Sequence, residues 1–272
     1  MIGILEALAM RDNSEDGDYK GSQGFLMCGD CHTRKEMEII WVDGKTMRKV
    51  PIACECQLQA YDKGHKTQRH ANFLQLVERL KKEGLTDPAY RDWTFRKDDK
   101  VNPLVSEVCR KYAYRWDEMY ADGAGLLFFG GVGTGKTFYS CCIANEIIER
   151  GISALVTSFP RILRNSKDKE KQMESFKKYD LLVIDDLGAE RNTEYGLEVV
   201  YDVIDSRYRS KKPLIITTNL SPEDIKKPEH IGYQRIYDRI MQNCIPVKMD
   251  GQSRRKQISA VNRDKWKMVL GL

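Results

Sequence analysis

Four short apolar runs punctuate the chain after its midpoint region begins: LLFFG (126–130), SALVTS (153–158), LLVID (181–185) and PLIITTN (213–219). They are rich in aromatic or β-branched residues and too short for helices, which predicts strands buried on both faces. The segments between them read as helices. KTFYSCCIANEIIERG closes on Gly151, FPRILRNSKDKEKQMESFKKY is strongly charged, and EYGLEVVYDVIDSRYRS leads into the last run. Strands alternating with helices predict an α/β fold with a parallel sheet covered on both faces. Upstream, TQRHANFLQLVERLKKE (67–83) sets Phe73, Leu74, Val77 and Leu80 at helical spacing and turns basic before Gly84, which predicts a helix. The beginning of the chain differs. It holds short β-like runs such as MEIIWV, followed by the turn pair Asp43-Gly44. The expected organisation is a small module over 1–66, a helical linker over 67–85 and an α/β domain over 86–272. The chain shows no internal repeats and no low-complexity tracts.

With 272 residues, 41% of them hydrophobic, the chain can bury a substantial core. It has no run of eighteen apolar residues, so no membrane span is expected. The opening stretch MIGILEALAMRDNSED lacks a basic lead-in and turns acidic, so a secretory signal is not expected and the cytoplasm is the expected compartment. The net charge of +5, from 45 basic and 40 acidic residues, permits a nucleic-acid partner without requiring one.

The first apolar run ends in Gly130-Gly131-Val132-Gly133-Thr134-Gly135-Lys136-Thr137, which satisfies G-x-x-x-x-G-K-[ST] between a predicted strand and a predicted helix. Glycines let backbone N–H groups curl around phosphates, and the following helix points its positive end at them. Lys136 can reach the β and γ oxygens, and the Thr137 hydroxyl can ligate Mg²⁺. Residues Gly131 to Thr137 are therefore the expected ATP contacts. The third run delivers Asp185-Asp186 at its C-terminal end. Two adjacent acids at a buried strand end repel one another, so a cation between them and the phosphates is the better account. Asp185 is expected in the magnesium shell and Asp186 beside the attacking water. Asn219, at the tip of the fourth run, can orient that water.

Eight cysteines are many for this length. Cys28-Gly-Asp-Cys31 and Cys54-Glu-Cys56 bracket a predicted β-hairpin that would bring the second pair back to the first. Without a secretory signal, such a cluster reads as zinc ligands before disulfides. C-x-C is tighter than the usual C-x₂-C, so His32, His65 and His70 are substitute ligands should Cys56 not bind. Cys109, Cys141, Cys142 and Cys244 are expected to pack as small hydrophobes.

Taken in order, GGVGTGKT, LLVIDDLG, IITTNLS, RIYDRI (235–240) and GQSRR (251–255) resemble the AAA+ ATPases of the DnaC/IstB type over residues about 86 to 260. That family comprises bacterial and phage replicative-helicase loaders and related transposition helper ATPases. The resemblance implies an αβα sandwich with a five-stranded parallel sheet that binds ATP and Mg²⁺ between subunits. It places Lys136 and Thr137 in Walker A, Asp185 and Asp186 in Walker B, Asn219 at sensor 1, Arg239 as the arginine finger and Arg255 at sensor 2. Most AAA+ proteins carry Glu where this chain has Asp186, while the initiator and loader clade often carries Asp. The family commonly reads Ser-Tyr-Arg where this chain has Ser253-Arg254-Arg255. Arg235 reads as a surface ion-pairing residue.

The resemblance implies an ATP-dependent loader that places a DnaB-type replicative helicase on single-stranded DNA and self-associates through its ATP sites. The cysteine module, with the 67–83 helix, is the expected grip on the helicase. The alternative is a transposition helper ATPase that binds duplex DNA and recruits a transposase. Intact Lys136, Asp185 and Asp186 argue against a third reading, an interaction module with a degenerate ATPase. Two basic stretches, 161–178 and 254–267, are candidate DNA surfaces. By resemblance, Phe159 and Arg161 are the expected contacts in the first, by stacking and phosphate pairing.

Overall fold

The computed structural model describes residues 15–40, 47–164, 169–188, 194–228 and 231–271. The chain divides into two compact units, Met1–Leu74 and Gln75–Leu272. The helix Glu55–Gly84 spans the boundary. Among the described residues, no helix is long and apolar enough to cross a membrane.

In the first unit, β1 (Tyr19–Lys20) pairs antiparallel with β2 (Leu26–Met27), and β3 (Glu36–Ile40) with β4 (Met47–Pro51). The register runs from Glu36 opposite Pro51 to Ile40 opposite Met47, so the expected hairpin forms. Its turn, Asp43-Gly44, lies outside the described residues, as do Trp41 and Val42. So little sheet cannot supply a large apolar core. Lys35 takes up part of that role: its side chain is fully buried, and its ammonium meets Asp18 at 2.7 Å and Glu15 at 3.1 Å. A buried cation is tolerated only with such partners.

The second unit holds a five-stranded sheet in the order β6-β7-β8-β5-β9. Its strands are β5 (Gly125–Gly130), β6 (Ala154–Ser158), β7 (Leu181–Leu187), β8 (Leu214–Thr218) and β9 (Cys244–Met249), and every pairing is parallel. Successive side chains leave a strand on opposite faces, and the core divides accordingly. Leu126, Phe128, Leu181, Val183 and Ile215 pack with helices Pro103–Tyr114 and Lys136–Glu149. Leu127, Leu182, Ile184, Leu214 and Ile216 pack with Phe159–Arg164, Glu194–Ser210 and Ile231–Asn243. This two-faced burial is why the strands read as unbroken apolar runs. Cys109, Cys141, Cys142 and Cys244 are buried free thiols.

At the outer edge of the sheet, Leu85 bridges Val156 in parallel. The preceding Gly84 lies so close to β6 that a Cβ there would stand 1.8 Å from the Ala154 carbonyl oxygen. Arg207, on the helix Glu194–Ser210, is wholly buried in a cage of carbonyls. It donates to Tyr179 O and Asp180 O, each at 2.9 Å, and to Pro213 O at 2.5 Å, which ties the entries of β7 and β8 together.

Candidate functional site

The loop 130–135 leaves the C-terminal end of strand β5, which lies between β8 and the edge strand β9, and enters the helix Lys136–Glu149. Gly133 has φ +83°, and a Cβ there would stand 2.2 Å from Ser253 Oγ, so both backbone and space demand glycine. Lys136 Nζ donates to Gly130 O and Gly131 O, each at 2.8 Å, and to Asn219 Oδ1 at 2.7 Å. Lys136 and Asn219, 83 positions apart in sequence, are thus in direct contact. Burial pushes the Lys136 pKa down, against the pull of Asp186 and Asp185.

Thr137 Oγ1 donates to both oxygens of Asp185, at 2.9 and 3.0 Å. Asp185 is 7% exposed, and burial, reinforced by the charge of Asp186, raises its pKa. A hydroxyl against a buried carboxylate at the mouth of a phosphate loop is the donor set that suits Mg²⁺, a hard cation with oxygen ligands. Between Ile184 and Leu187 the pairing of β7 with β8 shifts register, and Asp186 there takes φ +59°. Thr217 supports both acids. Its buried hydroxyl donates to Asp185 Oδ1 at 2.5 Å and accepts from the Asp186 N–H at 3.0 Å.

These groups open onto a cavity of about 360 Å³ whose lining includes Lys136, Thr137, Asp186, Asn219, Arg254 and Arg255, with Trp93 and Asp99. This volume is in the range of small-molecule sites. Arg255 lines this cavity together with Lys136 and Asn219. Trp93, Asp99 and Thr217 are additional residues that no spacing rule announces.

Arg239 does not line this cavity. Its Nη1 lies 2.5 Å from Asp205 Oδ1, and its guanidinium stands over the rings of Tyr201 and Tyr208 at 4.6 and 5.6 Å. Arg235, on the same helix, is exposed. One expectation is corrected: Phe159 is fully buried under β6 and β7, where no base can stack on it. Arg161 is exposed and donates to Thr86 Oγ1 at 2.7 Å. Lys167, in the same basic stretch, lies outside the described residues.

In the first unit, the Sγ atoms of Cys28, Cys31, Cys54 and Cys56 all lie within 4.8 Å of one another. Cys56 Sγ is 3.2 Å from Cys54 Sγ and 3.5 Å from Cys28 Sγ. Zn–S bonds of about 2.3 Å put tetrahedral sulfurs roughly 3.8 Å apart, so the four thiols fit one zinc ion. The fourth donor in the cluster is Cys56. Among the substitutes, His32 turns its Nδ1 to the Tyr19 hydroxyl at 3.2 Å, and His65 packs its ring against Tyr61. The Thr33 hydroxyl, then the N–H groups of Cys56 and Thr33, hold the Cys31 pKa down at about 5, while neighbouring thiols push Cys56 up. Cys56 opens the helix Glu55–Gly84 one residue past its start, which explains the tight C-x-C spacing: the pair straddles a helix entry.

Residues 117–261 match the family model described as IstB-like ATP binding protein. The replicative helicase loader DnaI of Bacillus subtilis (strain 168) is 30% identical over 149 residues, covering 49% of this chain and 48% of that protein. The replicative helicase loader DnaC of Escherichia coli (strain K12) is 30% identical over 180 residues, covering 63% of this chain and 70% of that protein. The match thus spans about half the length of the first relative. Among solved structures, a crystal structure of DnaI aligns with TM-score 0.52 at 25% identity, covering 62% of this chain and 93% of that one. A crystal structure of the DnaC helicase loader aligns with TM-score 0.50 at 21% identity, covering 60% and 100%, and speaks for the fold alone.

Proposed function

The chain belongs to the family of IstB-like ATP binding proteins, and from that premise we propose that it is an ATP-dependent loader of a DnaB-type replicative helicase onto single-stranded DNA, acting in the cytoplasm. The observation that carries the loader reading is the likeness to two proteins that bear that name, one of them over most of its length.

The site supports the ATPase half of the reading. Gly131 to Thr137 hold the phosphates, and Lys136 exchanges its loop carbonyls for β and γ oxygens. Thr137 and Asp185 hold Mg²⁺, which supplies charge to the phosphates when bound. Asp186 polarises the attacking water and Asn219 orients it. Arg255 reads the nucleotide within its own subunit. Arg239 acts on a neighbour's nucleotide after leaving Asp205, and its fixed guanidinium charge stabilises the transferring phosphoryl group. ATP sites completed in this way make self-association part of the mechanism. The four cysteines hold zinc and fold the first unit, which grips the helicase.

The test is loading. The chain is mixed with its host's DnaB-type helicase and a single-stranded DNA circle, which has no end to thread. Helicase bound to the circle only when both ATP and the chain are present is the expected result. Absence of any complex with the helicase, together with binding to duplex DNA and capture of a transposase, would replace this reading with that of a transposition helper.

A further inference from the structure

A second arginine, Arg254, precedes Arg255. Its side chain is 19% exposed, and its Nη2 donates to Asp99 Oδ1 at 2.7 Å. The guanidinium carbon lies 5.8 Å from the ring centres of Phe138 and Tyr139. Its backbone N–H donates to Gly133 O at 3.0 Å. A Cβ on Gly135 would stand 3.7 Å from its guanidinium. The cation therefore flanks the part of the loop whose N–H groups cradle α- and β-phosphates, in the same cavity as Lys136 and Asp186.

Asp99 is held in place by its neighbour. The Asp98 side chain is fully buried, and it accepts from the Ser106 hydroxyl, from the Tyr139 hydroxyl at 2.9 Å and from the Lys100 N–H at 3.0 Å. Asp98 is thus an anchor, and Asp99 offers Arg254 a carboxylate that is 52% exposed. Such a half-exposed pair is weak, about 0–1 kcal/mol. Guanidinium on phosphate is charge-assisted, directional and able to bind in two places at once. Because the Arg254 backbone stays on Gly133 O, a change of side-chain rotamer suffices for the guanidinium to change partners.

We propose that Arg254 exchanges Asp99 for the α- and β-phosphates of bound nucleotide, and that Asp99 is the competitor that sets nucleotide affinity. The proposal rests on reading the cavity as a nucleotide site. Those two phosphates are common to ATP and ADP, so both nucleotides feel the exchange alike.

A structural ion pair and an exchanging one differ in sign. Removing either end of a structural pair harms binding; removing a competitor helps it. Fluorescent ATP and ADP analogues are titrated into the full chain carrying Arg254→Ala, Arg254→Lys, Asp99→Asn or Asp99→Asn with Arg254→Ala. Melting temperatures without nucleotide report whether each variant folds. Arg254→Ala should weaken both nucleotides by about tenfold, the loss of one charged hydrogen bond, and Arg254→Lys by less. Asp99→Asn should tighten both by about threefold, the release of one weak pair. The double variant should match Arg254→Ala. If Asp99→Asn weakens binding, or still tightens it in the Arg254→Ala background, the exchange is wrong. Wild-type protein that binds neither nucleotide would instead overturn the reading of the cavity beneath it.

Discussion

Thr217→Val takes one hydroxyl from beneath both acids of β7. The side chain is fully buried, and valine has nearly its shape, so the change is chemical rather than steric. Two interactions go. The first is the bond to Asp185, of the class worth about 1.5–3 kcal/mol when the acceptor is charged. It also holds the Asp185 pKa down against burial, so its loss lets that pKa climb further. The second is the acceptor of the Asp186 N–H, and a buried donor left unpaired costs about 1–3 kcal/mol. Protonation of Asp185 would relieve part of the first loss. The expected destabilisation is therefore about 2–4 kcal/mol, read as a lower urea midpoint at constant slope. Function should suffer too. Loss of a hydrogen bond to a metal-holding carboxylate typically costs about 10–100-fold in metal affinity or activity. ATP turnover should fall by that factor, with half-saturation shifted to higher Mg²⁺. Thr217→Ser restores the hydroxyl at the expense of one buried methyl, about 1 kcal/mol, and should recover most of the turnover. Wild-type turnover and Mg²⁺ dependence in Thr217→Val, or a serine variant as defective as the valine one, would refute the reasoning.

Protein purified under reducing, chelator-free conditions should carry about one zinc per chain, and Cys28→Ser should lose it; elemental analysis that finds none in the wild type would end the zinc assignment. Lys136→Ala should abolish ATP binding, whereas Asp186→Asn should bind ATP and fail to hydrolyse it, because water polarisation matters mainly in the transition state. Equal loss of binding in the two variants would contradict those roles. Burial pushes the Asp98 pKa up, but the bonds from Ser106, the Lys100 N–H and Tyr139 outweigh it and leave it below the ordinary 3.8. A depressed carboxylate contributes stability above its unfolded pKa and loses it as pH falls through the folded value. The gap in melting temperature between wild type and Asp98→Asn should therefore be full at neutral pH and shrink below about pH 4. A gap constant from pH 7 to 3 would exclude this origin.

The four apolar runs became β5 to β8 because a strand buried on both faces is mostly apolar and admits a polar residue such as Thr217 or Asp185 only where it is hydrogen-bonded. β9 escaped the same reading. It lies at the sheet edge, exposes Ile245, and carries Pro246 and Lys248 within its six residues. An edge tolerates proline because one side of the strand needs no donor. The helix Glu55–Gly84 was legible only from residue 67 onward, since Leu58 and Tyr61 are exposed and leave no apolar face to detect. Phe159 shows the converse limit: an aromatic beside arginines reads as a stacking platform until packing reveals which way it faces. The loop and the two acids were legible because their chemistry is local in sequence. Trp93, Asp99 and Arg254 meet only through tertiary packing, so no spacing rule could have joined them.

Asp186 has a consequence for sequence drift. Its φ of +59° lies in a region that asparagine and aspartate enter readily, whereas other L-residues with side chains enter it at roughly 1–2 kcal/mol. Glutamate would preserve the charge but meet that backbone penalty and carry its carboxylate one methylene further. Asparagine would keep the backbone and lose the charge, and glycine would lose both the charge and the side chain. Single replacements at this position therefore lead downhill in either conformation or chemistry. A lineage that moves to glutamate must first reshape the register shift between Ile184 and Leu187. Until then the shape of the backbone, as much as the reaction, keeps the shorter acid in place.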